Sequence, residues 1–397
     1  MSERRSFLKS AGAGMLILKP ATVFGSQANS NVEVGLIGCG GRGNWIGPFF
    51  PEYTGAKIVA LADVVKKNLA ETAAKFQVDG TRSYHGPDAA ARLAASKVDA
   101  VVIETPTYFH AEQARLAVEA GKHVYCAKPL AVDVPGCRSI LASGQRAREK
   151  KLTYWVDFQS RAREVYQEAA KRIHRGDIGK PALAQVFYFA GRPWKDKGVP
   201  GMEEGHRKMA NWFGDRVLSG DIIVEQNIHV IDIANWFLGG APVKAYGAGG
   251  RSDWRGTPND TGDAWDHFAV TYYYPNGVQA SFSSHQLNGA FSDLCVRVIG
   301  IDGTADTHYG GSLAIVGKNP WKGAEKDDTF KGGAVDNVKA FIASIRNGTP
   351  IYNYEESVKS NLTGILGRTA AYKNREVTWE EMMKADEKWT SDLKLAW

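Results

Sequence analysis

The sequence predicts two units in series: a doubly wound α/β domain with a parallel sheet over residues 30–158, then an α+β domain over 159–375 built on a large, open, mainly antiparallel sheet. Three observations predict it. Short β-branched runs alternate with helical stretches as far as residue 158. A glycine-rich turn closes the first of those runs. Beyond residue 160 the pattern changes to alternating, aromatic-rich runs divided by turn residues. With 397 residues the chain exceeds what one ordinary core supports, so two domains are the natural division.

Ahead of the first domain, residues 1–28 read as a leader. Arg4-Arg5 precedes a small, apolar stretch from Ala11 to Leu18, and Ser26-Gln27-Ala28 gives a small-x-Ala end. That order describes a twin-arginine signal, which exports a protein already folded, and predicts a periplasmic or otherwise exported mature chain. The apolar stretch is far short of the ~20 residues of a membrane span.

The first domain opens with Val32 to Ile37, a strand-like run ending in Gly38-Cys39-Gly40-Gly41-Arg42-Gly43. This is G-x-G-x-x-G in its proper context, at the end of a strand and the start of a helix. The glycines allow a tight turn and close approach of backbone to a pyrophosphate. A second strand, Lys57 to Ala62, ends in Asp63, 25 residues after Gly38. A carboxylate there accepts both ribose hydroxyls of NAD and repels the extra phosphate of NADP, so NAD is the expected cofactor over NADP. Asp63 also reads as an N-cap for the helix Lys66–Phe76. Val98 to Glu104 is the next strand, and Thr105-Pro106-Thr107-Tyr108-Phe109-His110 opens the helix Ala111–Ala120. His123 to Ala127 is a short strand with Lys128-Pro129 at its C-terminal edge, where open α/β sheets place their ligands. Thr153 to Phe158 is the expected last strand.

Composition narrows the class. Apolar residues make up 44% and charged residues 23%, as in a globular protein. Of the net charge of +6, residues 1–28 contribute +3, from Arg4, Arg5, Lys9 and Lys19 against Glu3. The remainder is too small and too scattered to imply nucleic acid. Cys39, Cys126, Cys137 and Cys295 lack the spacing of a metal site and are expected to be free, buried thiols, so no metal is expected. Most of the eleven tryptophans fall after residue 150, Trp194 and Trp254 among them, and are either core or sugar-stacking surfaces.

In the second domain, Ala162 to Arg175 is expected to be helical. Strands are expected at Leu183–Phe189, Val243–Ala248, Trp265–Tyr274, Val278–Ser284 and Leu294–Gly300. Residues 376–397 form a C-terminal tail or helix. Among the strands lies Ser219 to Asp232, with a helix running on to Phe237 and stopped by Gly239-Gly240. Glu225 and His229 are four apart, hence on one face of a helix that begins early enough.

These residues together resemble the glucose–fructose oxidoreductase / inositol dehydrogenase / MocA family of sugar oxidoreductases, over nearly all of the mature chain. The resemblance rests on Gly38–Gly43, Asp63, the Thr105-Pro106…His110 turn, Lys128-Pro129, Asp157-Phe158-Gln159 and the segment around His229. It implies an N-terminal Rossmann domain whose cofactor is touched by Gly38, Gly40, Gly41, Arg42, Gly43, Asp63, Thr105, Pro106, His110 and Lys128. It also implies an open second-domain sheet that joins copies into a homodimer or homotetramer. The family usually shows Glu-Lys-Pro, and here Ala127 replaces the glutamate. Its Asp-x-x-x-His pattern appears with Glu225 at the aspartate position. In that frame His229 is the general base, Lys128 the electrostatic stabiliser and proton relay, and Glu225 the group that orients the imidazole or a sugar hydroxyl. Export of a folded chain implies a tightly bound cofactor, recycled on the protein. The expected activity is oxidation of a sugar or polyol hydroxyl. The alternative is a glycosidase that oxidises its substrate transiently, and a third reading is a non-catalytic sugar-binding regulator. The loops 194–212 and 249–263 are expected to carry specificity.

Overall fold

A computed structural model describes residues 31–192, 197–198, 201–252 and 262–395. The leader with Arg4-Arg5, Trp194, Trp254, a few residues of the first expected specificity loop and most of the second lie outside the described residues.

Six strands form the first sheet: β1 (Glu33–Ile37), β2 (Lys57–Asp63), β3 (Ser83–His85), β4 (Ala100–Ile103), β5 (His123–Ala127) and β6 (Tyr154–Asp157). Their order is β3-β2-β1-β4-β5-β6, and every pairing is parallel. The order reverses between β1 and β4, so the crevice that binds ligands in such sheets opens there, above the glycine turn. All four residues of β4 are buried, as expected of a strand covered on both faces. β3 was not foreseen, because three half-buried residues carry no periodicity.

One face of this sheet is covered by Ala89–Ala95, His110–Glu119 and Val134–Glu149. The other is completed by residues from far along the chain. The helix Lys331–Arg346 places Val338, Phe341 and Ile342 against Val34, Leu36, Val102 and Tyr125. Phe341 meets Tyr125 edge-on at 5.3 Å. Each such buried side chain contributes roughly 1.5–3 kcal/mol of transfer free energy. The sequence division puts 331–346 in the second domain; in space it belongs to the first domain's core.

The second sheet has nine strands: β7 (Pro181–Ala190), β8 (Lys244–Gly250), β9 (His267–Tyr273), β10 (Gln279–Gln286), β11 (Asp293–Gly300), β12 (Gly303–His308), β13 (Leu313–Gly317), β14 (Trp321–Ala324) and β15 (Val377–Thr378). They run β14-β13-β12-β11-β7-β10-β9-β8-β15, antiparallel except where β10 lies parallel to β7. Val186, Phe282, Val270 and Val296 cover the helices Ile228–Phe237 and Tyr354–Lys373, and the opposite face is half exposed. On that outer face Phe189 stacks on His285 at 4.8 Å.

The single helix expected over Ala162–Arg175 is two, Gln159–Ala162 and Glu164–His174. Arg163 breaks it with an extended backbone, and its guanidinium holds Asp327 at 2.9 Å and Asp336 at 2.6 Å. All four cysteines are buried free thiols. Among the described residues no helix is long and apolar enough to cross a membrane.

Candidate active site

The site is built at the C-terminal edge of β1, β4, β5 and β6, where a second-domain loop comes down on it. Gly38 has φ 94°, a conformation that favours glycine, and a Cβ there would lie 2.6 Å from the Glu104 carbonyl oxygen. A Cβ on Gly43 would lie 1.9 Å from the Gly38 oxygen, so that close turn-to-helix approach also requires glycine. Gly41 faces open space instead. Gly40 caps the Gly41–Ile46 helix with no side-chain bond to it. The result is a backbone cradle that a dinucleotide's phosphates fit.

Asp63 stands beside this cradle. Its carboxylate accepts the Cys39 N–H at 2.7 Å and the Val65 N–H at 2.6 Å, while burial raises its pKa. The Lys66–Phe76 helix has Val65 at its N-cap with no side-chain bond, so Asp63 is not its cap; its bonds fix the turn at Val65 and brace the glycine loop. Each carboxylate oxygen keeps a second acceptor site for a ribose hydroxyl.

Arg42 and His110 were expected at the cofactor, and both are turned into the protein. Arg42 binds Asp157 and brings Nε to 3.4 Å from Glu104 Oε2, with its guanidinium over Trp45. His110 is buried, with Nδ1 at 2.6 Å from the Pro129 carbonyl oxygen and Nε2 at 2.7 Å from that of Thr105. Burial lowers its pKa, and Lys128 adds to the effect. These two contacts tie the Thr105-Pro106 turn to Lys128-Pro129, so the part His110 plays is to hold that turn. Thr105 itself donates its hydroxyl to Gln113 at 2.6 Å.

Lys128 is mostly buried. Its ammonium donates to the Glu225 carbonyl oxygen at 2.7 Å and lies 3.4 Å from Glu225 Oε1. Burial lowers the lysine pKa, Arg42 lowers it further, and Glu225 opposes both. The peptide that carries Lys128 into Pro129 is cis. Asn361, from the helix Tyr354–Lys373, fixes the two residues after that proline. Its Oδ1 accepts the Leu130 N–H at 2.7 Å and its Nδ2 donates to the Ala131 oxygen at 2.8 Å.

Glu225 and His229 do not share one helix. Glu225 ends the short helix Ile222–Glu225, and His229 is in the first turn of Ile228–Phe237. Glu225 therefore pairs with Lys128, and no bond joins it to the imidazole; the expected orienting role toward His229 is corrected to one toward Lys128. Among the described residues, Glu225 Oε2 and His229 Nδ1 are buried without a hydrogen bond. Burial drives the histidine pKa well below its ordinary value, with Lys128 and Arg42 adding repulsion, so the imidazole is neutral at pH 7.

Several groups of this site were not read from the sequence. Ile103 pairs with Cys126 across β4 and β5, so Glu104 stands opposite Ala127 and supplies a carboxylate beside Lys128. Tyr309 lies 5.3 Å from His229, ring to ring, with its hydroxyl buried and unbonded. Tyr188 donates its hydroxyl to Gln226, and Ser284, its register neighbour on β10, has an unbonded, buried Oγ. Asn227 is fully buried with both amide atoms unbonded. Unserved donors and acceptors at this density are what a hydroxyl-rich ligand satisfies. Asp157 belongs to the Arg42 cluster, whereas Arg161 forms a two-point ion pair with Asp232 at 2.8 and 2.9 Å.

Among the described residues, the trio Asp293, Cys295 and His308 brings potential metal ligands together, on the outer face of the second sheet. There His308 Nδ1 already meets Asp293 at 2.8 Å, and burial pushes the Cys295 thiol up to about 12.

Two family models divide the chain along these lines. Residues 32–158 match the oxidoreductase family with NAD-binding Rossmann fold, and residues 166–306 match the GFO/IDH/MocA C-terminal domain. The chain belongs to the GFO/IDH/MocA oxidoreductase family. It is 32% identical over 208 residues to inositol 2-dehydrogenase 3 of Saccharopolyspora erythraea, covering 52% of this chain and 54% of that protein. It is 27% identical over 251 residues to scyllo-inositol 2-dehydrogenase (NAD(+)) of Bacillus subtilis, covering 63% and 66%. The matched region thus spans between about half and two thirds of these curated relatives. In fold it is similar to scyllo-inositol dehydrogenase of Lactobacillus casei with bound NAD(H) and scyllo-inositol, with a TM-score of 0.69 at 19% identity, covering 88% of this chain and 100% of the other. Within the GFO/IDH/MocA family, then, the glycine cradle and Asp63 fall in the NAD-binding part, and Glu225 and His229 in the C-terminal domain.

Proposed function

We propose that the protein is an NAD-dependent oxidoreductase acting on a sugar or polyol hydroxyl. One observation carries this reading: Lys128, from the strand edge beside the glycine cradle, pairs with Glu225 and bears on the neutral His229 of the second domain in one buried, polar cluster. The names of the curated relatives point the same way. Gly38, Gly40, Gly41 and Gly43 would take the pyrophosphate, Asp63 the ribose hydroxyls, and the Thr105-Pro106 turn and Lys128 the nicotinamide end. When bound, NAD supplies the hydride acceptor.

This chain's residues supply the rest. His229, held unprotonated, takes the hydroxyl proton as the carbon gives up hydride. The Lys128 ammonium, anchored by Glu225, stabilises negative charge on the reacting oxygen and offers a relay for the proton. Glu225 keeps a free oxygen for a neighbouring substrate hydroxyl. The unbonded Tyr309, Asn227 and Ser284 favour a ligand with several hydroxyls. The glycine cradle and Asp63 would hold the cofactor through both half-reactions, with a second substrate as the final hydride acceptor, the twin-arginine leader exports the loaded protein, and the half-exposed outer face of the second sheet joins copies of the chain.

The test is spectroscopic. Inositols and aldoses are added to the purified protein, supplemented with NAD, and reduced nicotinamide is followed by absorbance. A lasting signal that an acceptor sugar or ketone discharges supports the reading. Cleavage of a glycoside with no lasting signal overturns it in favour of the transient-oxidation glycosidase.

A further inference from the structure

Beneath the glycine turn, the buried charges do not balance in pairs. Arg42 binds Asp157, which has a second partner in Asn337 Nδ2 at 2.9 Å. Lys128 is matched by Glu225 at 3.4 Å. Glu104 is the carboxylate left over. Its side chain is wholly buried, and Arg42 Nε approaches Oε2 only to 3.4 Å. Neither of its oxygens has a hydrogen bond among the described residues. The groups that face it are Arg42 from the first helix, Tyr125, Cys126 and Lys128 from β5 and its edge, and Asp157 from β6. Burial comes first and Asp157 repulsion adds to it, against the pull of Arg42 and Lys128, so the Glu104 carboxyl is pushed up to about 8. With Glu104 protonated the cluster is neutral; with it ionised the cluster carries one net negative charge.

The place of Glu104 gives that imbalance a use. It lies across the strand from Ala127, next to Lys128, and its Cβ is 3.6 Å from where a Cβ on Gly43 would be. We propose that Glu104 is a redox-linked proton carrier, ionised when the dinucleotide is bound with its nicotinamide ring oxidised and cationic, and protonated when the form with the reduced, neutral ring replaces it. This rests on the nucleotide reading above. The phosphates carry the same charge in both redox states, so the two bound forms differ by the one positive charge on the ring. A unit charge that came within about 10 Å of the carboxyl would, at an effective dielectric of about 20, shift it by more than one pH unit. Such a shift carries Glu104 from mostly protonated to mostly ionised near pH 7.5.

The balance closes. As the alcohol is oxidised, its carbon gives up hydride and its oxygen gives one proton to His229; His229 then returns to its neutral form, and that same single proton is the one the Glu104 carboxylate holds afterwards, in exchange for the ring's lost charge. Alcohol, oxidised cofactor and carboxylate become carbonyl compound, reduced cofactor and carboxylic acid. Hydride and proton then both stay on the protein until a second substrate takes them. Glu104 acts through charge, without touching substrate, and is a positioning residue.

The test is calorimetric. The full-length chain, cleared of bound nucleotide, is titrated with NAD+ and with NADH at pH 7.5 in two buffers of different protonation enthalpy, which gives the protons exchanged on binding. Wild type should release roughly half a proton more with NAD+ than with NADH. In Glu104→Gln that difference should vanish while both nucleotides still bind. Asp157→Asn, which leaves Arg42 to Glu104 alone, should also abolish it, because Glu104 is then ionised in both states. Equal proton counts for the two nucleotides in wild type, or a wild-type difference retained by Glu104→Gln, overturn the proposal. Failure of wild type to bind either nucleotide overturns the nucleotide reading itself, and the proposal with it.

Discussion

Replacing Glu104 by glutamine should change how stability depends on pH, and the site sets the size of the change. Glutamine keeps the shape of the protonated carboxylic acid and removes the titration. In the unfolded chain the carboxyl has its ordinary value of 4.5; in the folded protein it is pushed up to about 8. Between those values the folded chain holds a proton that the unfolded chain has released. The contribution is therefore present in full below about 4.5 and is lost as pH rises through about 8. The slope is at most about 1.4 kcal/mol per pH unit, so between pH 5 and pH 8 wild type should lose up to about 4 kcal/mol relative to the variant. Urea denaturation of both proteins at matched pH values, followed by tryptophan fluorescence, measures this, and titrations common to both cancel. At pH 5 the two should be close, and at pH 8 the glutamine variant should be the more stable. Curves that stay parallel within about 0.5 kcal/mol across that range would refute the argument that Glu104 is buried as an acid.

The other predictions concern the reacting groups and the nucleotide. Lys128→Met and His229→Ala should each reduce turnover at least about a hundredfold with nucleotide still bound, and near-normal activity in either removes that residue from the mechanism. Because burial lowers the His229 pKa, wild-type turnover should persist below pH 6.5, where an ordinary histidine would already be protonated; an acid limb at or above that value would contradict a buried neutral base. Asp63→Ser should weaken NAD binding and relax discrimination against NADP, as equilibrium binding of the two would report. It should also lower thermal stability, since Cys39 N–H and Val65 N–H lose their acceptor.

Much of the first domain was legible because its signals are local. A β-branched run, a glycine turn and an acidic strand end lie within 32 residues of one another, Val32 to Asp63. The roles of Arg42 and His110 were not, because they depend on partners at Asp157 and Pro129 that no local pattern announces. Glu104 was legible only as a strand end, since its importance comes from register: the sequence shows Ala127 without a carboxylate, and β4 pairing supplies one from the next strand. The i, i+4 spacing of Glu225 and His229 misled for a related reason. Tertiary packing ends the first helix at Glu225 and starts another at Ile228, so the carboxylate is aimed at a lysine 97 residues away in sequence.

That long-range meeting of Lys128 and Glu225 is secured by ties on both sides of it, which bears on how the site works. On the lysine side, Asn361 clamps the backbone at Leu130 and Ala131. On the glutamate side, Asp221 has φ 69°, a left-handed conformation that costs an aspartate of order 1–3 kcal/mol. It persists because its carboxylate accepts the Ile222 N–H at 2.6 Å, the Trp265 N–H at 3.1 Å and the Tyr372 hydroxyl. Asn361 and Tyr372 belong to the same helix, Tyr354–Lys373, so one rigid element holds both halves of the site. Arg368 of that helix adds a bond to the Gly220 oxygen at 2.8 Å and stacks 3.5 Å from the Trp389 ring, and the backbone N–H of Trp389 donates to Asp133 Oδ2 of the first domain at 2.8 Å. A hinge that separated Lys128 from Glu225 would have to break these buried bonds together. Preorganisation of the reacting groups therefore belongs to the scaffold.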